Sequence, residues 1–109
     1  MNKQQKEDAK RISEITGRSI DDCKKTVMQI TECVKEMKSR VVEFFFLKKD
    51  GSVRQAFGTL QDEIILPLLS DPSNHGGTNP ELVTYFDINA KQFRSFRKEN
   101  FQYFVPANA

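Results

Sequence analysis

The sequence predicts an α+β protein in which an N-terminal helical hairpin packs on a five-stranded SH3- or Sm-like β-barrel. Two observations support this fold class. The hydrophobic period changes from about 3.5 residues before Arg40 to about two residues after it. The second half then divides into five strand-like segments with a one-turn helix before the last, the usual order in such barrels. We therefore expect a helical hairpin over residues 1–39 and a barrel over residues 40–109, with a long loop at 61–81.

Two helices are predicted in the N-terminal segment. The first runs from Lys3 to Thr16, and Gly17 follows as a C-terminal stop. Ser19 begins the second helix, because Ser19 with Asp22 forms a variant of the capping box. The apolar residues of the second helix recur three and four positions apart, which places them on one face: Ile20, Cys23, Val27, Ile30, Val34 and Met37.

This apolar stripe has two interpretations. The helix either lies on the rest of the protein or forms the seam of a homodimer, since a three-four spacing is also the pattern of a coiled coil. In the second case the stripe is an interface for a second copy or for a host protein. The residues of that interface would be Cys23, Val27, Ile30, Val34 and Met37.

The first strand pair is predicted on either side of a tight turn. Val41 to Lys48 and Ser52 to Leu60 have strand composition, and Asp50-Gly51 between them is typical of a two-residue type I′ turn. The run from Phe44 to Phe46 places large apolar groups on both faces of the first strand. Because a sheet that is open to water on one side would alternate instead, we expect the helices to cover the outer face.

The rest of the chain completes the barrel. Residues 71–80, which include His75, have loop composition. The other predicted elements are a helical turn within Gln61–Leu69, strands at Leu82–Ile88 and Gln92–Phe96 with a turn at Asn89-Ala90, a helical turn at 98–100 and a last strand at Phe101–Val105.

Composition excludes several classes of protein. Cys23 and Cys33 would lie roughly 15 Å apart on one helix, which is too far for a disulfide. Two cysteines and one histidine cannot build a standard zinc site, so we expect no metal and no cofactor. The N-terminus has no apolar segment of a secretory signal, and no run is long enough to span a membrane, which favours a cytoplasmic protein. No phosphate-loop glycine pattern or nucleophile signature is present, and we expect no enzymatic activity.

Basic residues concentrate near the C-terminus. Residues 1–40 carry ten Lys and Arg against seven Asp and Glu, whereas residues 41–109 carry seven against eight. Four of these seven fall between positions 91 and 98: Lys91, Arg94, Arg97 and Lys98. Arginine matches phosphate geometry, which favours an anion site, with Arg54 of the first hairpin as a further candidate. The alternative is a solvated face in which Arg94 pairs with Asp87 across the hairpin, and Tyr85 and Tyr103 are interpreted as core-edge aromatics.

Several motifs of the second half resemble the WYL domain, an Sm-like barrel of bacterial regulators, and its short WYL-like relatives in phages and Bacteroides-type bacteria. The motifs are Lys48-Lys-Asp-Gly-Ser-Val-Arg54, Gly58-Thr-Leu60, Thr84-Tyr-Phe-Asp87 and Phe93-Arg-Ser-Phe-Arg97. The resemblance spans about residues 40–105. It implies a ligand-sensing or nucleic-acid-binding module whose basic groove includes Arg94 and Arg97.

Two function hypotheses follow. The first is a small, non-enzymatic nucleic-acid- or nucleotide-binding accessory protein of phage or mobile-element type, which contacts phosphate through Arg94, Arg97, Lys98, Arg54 and Lys91. The alternative is a protein-interaction or assembly module that uses the stripe of the second helix and has no nucleic-acid ligand.

Overall fold

Two long helices precede five strands in the computed structural model of the protein, which describes residues 1–70 and 77–107. The predicted α+β class is confirmed. The elements are α1 (Lys3–Thr16), α2 (Ile20–Met37), β1 (Val42–Leu47), β2 (Val53–Thr59), α3 (Asp62–Ile65), a 3₁₀ turn (Leu66–Leu68), β3 (Leu82–Asp87), β4 (Gln92–Arg97), a second 3₁₀ turn (Lys98–Asn100) and β5 (Phe101–Phe104). His75 and most of the predicted 71–80 loop lie outside the described residues.

Local capping residues set the bounds of α1 and α2. Asn2 and Gln5 form a reciprocal capping box at the start of α1. Gly17 ends that helix with a φ of 75°, the left-handed conformation that glycine adopts without steric cost. The side chain of Ser19 accepts a hydrogen bond from the backbone N–H of Asp22 and so caps α2. Both helix starts and the end of α1 agree with the sequence prediction.

Most of the apolar stripe of α2 is buried within the chain itself, although Ile20 at its start is 41% exposed. Cys23 and Val27 form a cluster with Ala9 and Ile12 of α1. Further along the helix, Ile30, Cys33 and Met37 join the core of the sheet, and Val34 is half-buried at the edge of that core. The helix therefore lies on the rest of the protein, which was one of the two interpretations of its pattern. Dimerisation through Cys23, Val27, Ile30, Val34 and Met37 stays a prediction.

The five strands form one antiparallel sheet in the order β4-β3-β2-β1-β5. The first four strands are a meander, and the 3₁₀ turn Lys98–Asn100 returns the chain so that β5 pairs with β1 on its other side. This is an SH3/Sm-like arrangement, as predicted. The sheet is not closed into a barrel, because β4 and β5 remain its two edges.

The helices pack on the face of β1 that Phe44 and Phe46 occupy. Both phenylalanines are buried in the core that α2 completes. Phe45 points to the opposite face, where its ring stacks on Tyr103 at a centroid distance of 4.6 Å. The prediction that the helices cover the outer face is therefore wrong. Two aromatic side chains of neighbouring strands shield each other there instead.

The turn between β1 and β2 has three residues, and the predicted two-residue type I′ turn is wrong. A type I′ turn needs positive φ at both central residues. Gly51 has a φ of 86°, whereas the described positive-φ residues do not include Asp50. The backbone N–H of Gly51 donates to the carbonyl of Lys48 at 2.9 Å, and the Asp50 carboxylate accepts from the N–H of Ser52 at 2.9 Å. A type I turn followed by a left-handed glycine fits this pattern.

Gly58 leaves room for a close contact between two aromatic rings of the core. Phe44 and Tyr85 meet edge-to-face with their ring centroids 4.8 Å apart. A Cβ atom on Gly58 would lie 2.6 Å from Cδ2 of Tyr85 and 2.9 Å from Cε1 of Phe44. Both distances are below van der Waals contact, and both rings are fully buried. Only glycine fits between them without displacing one of the rings.

We predict that Gly58→Ala lowers the free energy of unfolding by about 1–3 kcal/mol, because the added methyl group overpacks a filled core. Urea denaturation followed by circular dichroism measures the change. Gly77→Ala is the matched control, since a Cβ atom there would lie 4.0 Å from Oγ1 of Thr84, an ordinary van der Waals distance. Equal unfolding midpoints for the two variants would contradict the prediction.

Candidate functional site

The five predicted phosphate-binding residues separate into three places. Arg54 and Arg94 lie together beside Asp87. Arg97 and Lys98 take part in ion pairs that hold α1 against the sheet. Lys91 is in the turn between β3 and β4, with a φ of 56°. The structure therefore brings together only one pair of the predicted set, which we call the arginine pair.

Strand register explains why Arg54 and Arg94 meet. Arg54 lies opposite Phe46 in the β1–β2 ladder, and Arg94 lies opposite Tyr85 in the β3–β4 ladder. Directly opposed residues share a face, so both arginines are on the side of the sheet that carries the core. Arg97 is on the other face of β4, and the two arginines of that strand do not converge.

Asp87 is the shared partner of the arginine pair. Its carboxylate is 3% exposed, and its Oδ1 accepts from the backbone N–H groups of Asn89 and Ala90 at 2.9 and 3.0 Å. Its Oδ2 accepts from Arg54 at 3.3 Å and lies 3.6 Å from Nε of Arg94. The pairing of Arg94 with Asp87, which belonged to the alternative interpretation of a solvated face, is therefore present. The backbone hydrogen bonds hold the carboxylate in place, and two guanidinium groups face one negative charge.

Tyr85 lies under the arginine pair with an unused hydroxyl group. Its side chain is fully buried, and neither its hydroxyl nor Nε of Arg94 has a hydrogen-bond partner among the described residues. Burial raises the pKa of Tyr85 to about 12, while Arg54 and Arg94 lower this pKa and Asp87 raises it. The phenol is therefore a neutral donor near pH 7. Buried donors without a partner are rare in folded proteins.

Most N–H donors of Arg54 and Arg94 make no hydrogen bond to the described part of the protein. A guanidinium group has five N–H donors. The only side-chain hydrogen bond described for the pair is the one from Arg54 to Asp87. Their side chains are 33% and 37% exposed. An anion approaching from solvent could therefore contact both arginines. The adjacent Tyr85 hydroxyl has no hydrogen-bond partner among the described residues, and Nε of Arg94 has only its ion-pair contact with Asp87 at 3.6 Å.

Arg97 and Lys98 have a structural role instead. Arg97 pairs with Glu99 at 2.6 Å, and Glu99 also accepts from Arg11 of α1 at 3.1 Å. Lys98 pairs with Asp8 of α1 at 2.7 Å, with side chains 14% and 8% exposed. Glu81 lies within 4 Å of both Arg11 and Arg97. These ion pairs hold α1 against the turn between β4 and β5. Arg97 and Lys98, two of the predicted phosphate-binding residues, are therefore already paired with carboxylates.

The rest of the described chain offers little other chemistry. Cys23 and Cys33 are buried free thiols, and burial, with a smaller contribution from Glu36, raises the pKa of Cys33 to about 12. Within residues 1–70 and 77–107, no three His, Cys, Asp or Glu side chains are grouped to hold a metal ion. No helix in the same ranges has the length and apolar character needed to cross a membrane.

Comparison with known families agrees with this architecture. A family model described as WYL_2, Sm-like SH3 beta-barrel fold, matches residues 30–102. The chain belongs to the WYL_2 family. Searches of curated proteins and of solved structures found no match. The resemblance drawn from the sequence motifs is thereby confirmed. The WYL_2 match includes Arg54, Tyr85, Asp87 and Arg94, and it leaves out α1 and the first half of α2.

The ion pairs of Glu99 should make stability depend on pH. Burial alone would raise the pKa of Glu99, but the hydrogen bond from Arg97 and the charges of Arg11 and Arg97 hold it below its usual value of 4.5. A lowered folded-state pKa contributes stability above the unfolded pKa, and this contribution is lost as pH falls through the folded value.

We predict that Glu99→Gln reduces the loss of stability on acidification below about pH 4.5 and lowers stability at pH 7 by about 1 kcal/mol. Urea midpoints measured from pH 7 to pH 3 test both statements. Glu7→Gln removes an exposed carboxylate of α1 that has no ion pair among the described residues. An identical pH dependence for the two variants would contradict the prediction.

Proposed function

We propose that this WYL_2 protein is a non-enzymatic nucleic-acid- or nucleotide-binding accessory protein that acts in the cytoplasm. Its phosphate contacts come from Arg54 and Arg94, with the hydroxyl of Tyr85 as a third donor. The observation that carries the proposal is the combination of two arginines, with side chains 33% and 37% exposed, and a buried Tyr85 hydroxyl that has no hydrogen-bond partner among the described residues. Phosphate oxygens supply the acceptors that this arrangement lacks.

The electrostatics favour one or two phosphate contacts rather than a long charged interface. Residues 41–109 carry a net charge of −1, from seven Lys and Arg and eight Asp and Glu. The local excess at the arginine pair is a single positive charge, because Asp87 neutralises one guanidinium. Such a site fits one backbone phosphate of a single strand, or the phosphate of a nucleotide. We expect weak binding and a shallow dependence on salt concentration.

We predict that Arg54→Gln/Arg94→Gln weakens binding of a fluorescein-labelled oligothymidylate of about 12 nucleotides by about tenfold or more. The slope of log affinity against log salt should also become shallower by about 1, because the phosphate contacts are lost. Fluorescence anisotropy at several salt concentrations measures both quantities, and circular dichroism melting verifies that each variant folds.

Lys24→Gln/Lys25→Gln is the matched control, since it removes two exposed positive charges from α2 far from the arginine pair in the sequence. It should change affinity by less than about twofold. The single variant Arg94→Gln keeps the hydrogen bond from Arg54 to Asp87 and serves if the double variant unfolds. A folded arginine variant that binds as well as the parent would remove the proposal.

We predict that Tyr85→Phe keeps or raises stability by up to about 1 kcal/mol, because the hydroxyl is buried without a partner. If that hydroxyl donates to the ligand, the same variant binds the oligonucleotide about tenfold more weakly. Tyr103→Phe, which alters an exposed ring on the other face, is the control. Unchanged binding by Tyr85→Phe, with intact folding, would limit Tyr85 to a core role.

A further inference from the structure

A groove of about 460 Å³ lies between the helical hairpin and the start of β3. Its floor is apolar and consists of Val27, Ile30, Val34, Leu82 and Val83. The volume falls within the range of about 300–1,000 Å³ that is common for small-molecule sites. None of the residues of the arginine pair site lines this groove. It is therefore separate from the arginine pair.

One side of the groove is polar, and its groups are already satisfied. Asp8 is buried, and its two carboxylate oxygens accept hydrogen bonds from Gln4 at 3.0 Å and from Lys98 at 2.7 Å. The side-chain amide of Gln5 donates to the hydroxyl of Thr31 at 3.0 Å. These contacts leave no unpaired negative charge in the groove. The polar side chains form one wall of the groove, and their hydrogen bonds are made within the protein.

The other side carries two cations without partners. Lys35 and Lys38 line the groove, and both are exposed. Neither makes an ion pair or a side-chain hydrogen bond among the described residues. Lys35 lies in the last turn of α2 and Lys38 is its C-cap residue, so both lysines belong to the C-terminal end of this helix. The groove thus combines an apolar surface with positive charge.

We propose that this groove binds an amphipathic carboxylate with an unbranched alkyl body, such as a medium-chain fatty acid. The alkyl chain lies on Val27, Ile30, Val34 and Val83, where its burial removes apolar surface from water. The carboxylate lies between Lys35 and Lys38. A cationic amphiphile of the same length gains the apolar contact but is repelled by the lysines, so the sign of the head group distinguishes this site from nonspecific adsorption.

Decanoate and decyltrimethylammonium are the matched probes, both used below their micelle-forming concentrations with the full chain. Amide chemical shifts in two-dimensional NMR report the site. We expect saturable shifts at Thr31, Val34 and Thr84 with decanoate and at least about fivefold weaker binding of the cation. Lys35→Gln/Lys38→Gln should weaken decanoate binding about five- to tenfold, whereas Lys24→Gln/Lys25→Gln should leave it within about twofold.

Val34→Asp places a negative charge on the floor and should abolish decanoate binding. Because Val34 is half-buried at the edge of the core, folding of this variant is verified by its NMR spectrum, and Val34→Ala, with an expected loss of about threefold, serves if it unfolds. The proposal is overturned if the two probes bind equally, if no saturable shift occurs, or if the shifts lie at Arg54 and Tyr85. Oligonucleotide binding is a separate measurement, so failure here leaves the arginine pair unaffected.

Discussion

The edge-to-face contact of Phe44 with Tyr85 across Gly58 is the constraint on which the sheet and the candidate site both depend. It joins the second hairpin to the first, in a region where β2 and β3 share only two paired positions. The absence of a side chain at Gly58 lets the Tyr85 ring approach β1 this closely. The same ring belongs to the residue that lies opposite Arg94 in the β3–β4 ladder. The Tyr85 ring therefore contributes both to the packing of the core and to the proposed ligand contacts.

The two arginines of β4 have different partners because they lie on opposite faces of the sheet. Arg94 and Arg97 are three residues apart on β4, yet Arg94 is on the core side with Asp87, and Arg97 is on the outer side with Glu99. The second group, with Lys98 and Asp8, is used to attach α1. A count of basic residues in this segment therefore overestimates the charge available to a ligand. The positive potential that remains is local and small.

Short-range sequence patterns predicted most of the helices and strands. They could not predict which residues distant in sequence come into contact. The caps at Gly17 and Ser19 and the change of period near Arg40 place the helices and strands correctly. The meeting of Arg54 with Asp87, 33 residues away, depends on two strand registers, and that of Arg11 with Glu99 spans 88 residues. No local signal identifies Arg11 as a partner. Tyr85, interpreted from the sequence as a core-edge aromatic, is fully buried, and only the fold shows that its hydroxyl has no partner in the described part of the chain.

The apolar stripe of α2 packs against two different parts of the protein along its length. Its first half, Cys23 and Val27, packs on α1, and its second half, from Ile30 onward, packs on the sheet. The WYL_2 match begins at Ile30, where this change occurs. The part of α2 that completes the sheet core thus belongs to the family fold, and the part that carries α1 lies outside the match. Because neither surface fully covers Val34, the proposed amphiphile groove lies at this junction, and the ion pairs of Asp8 and Arg11 keep α1 in place as its wall.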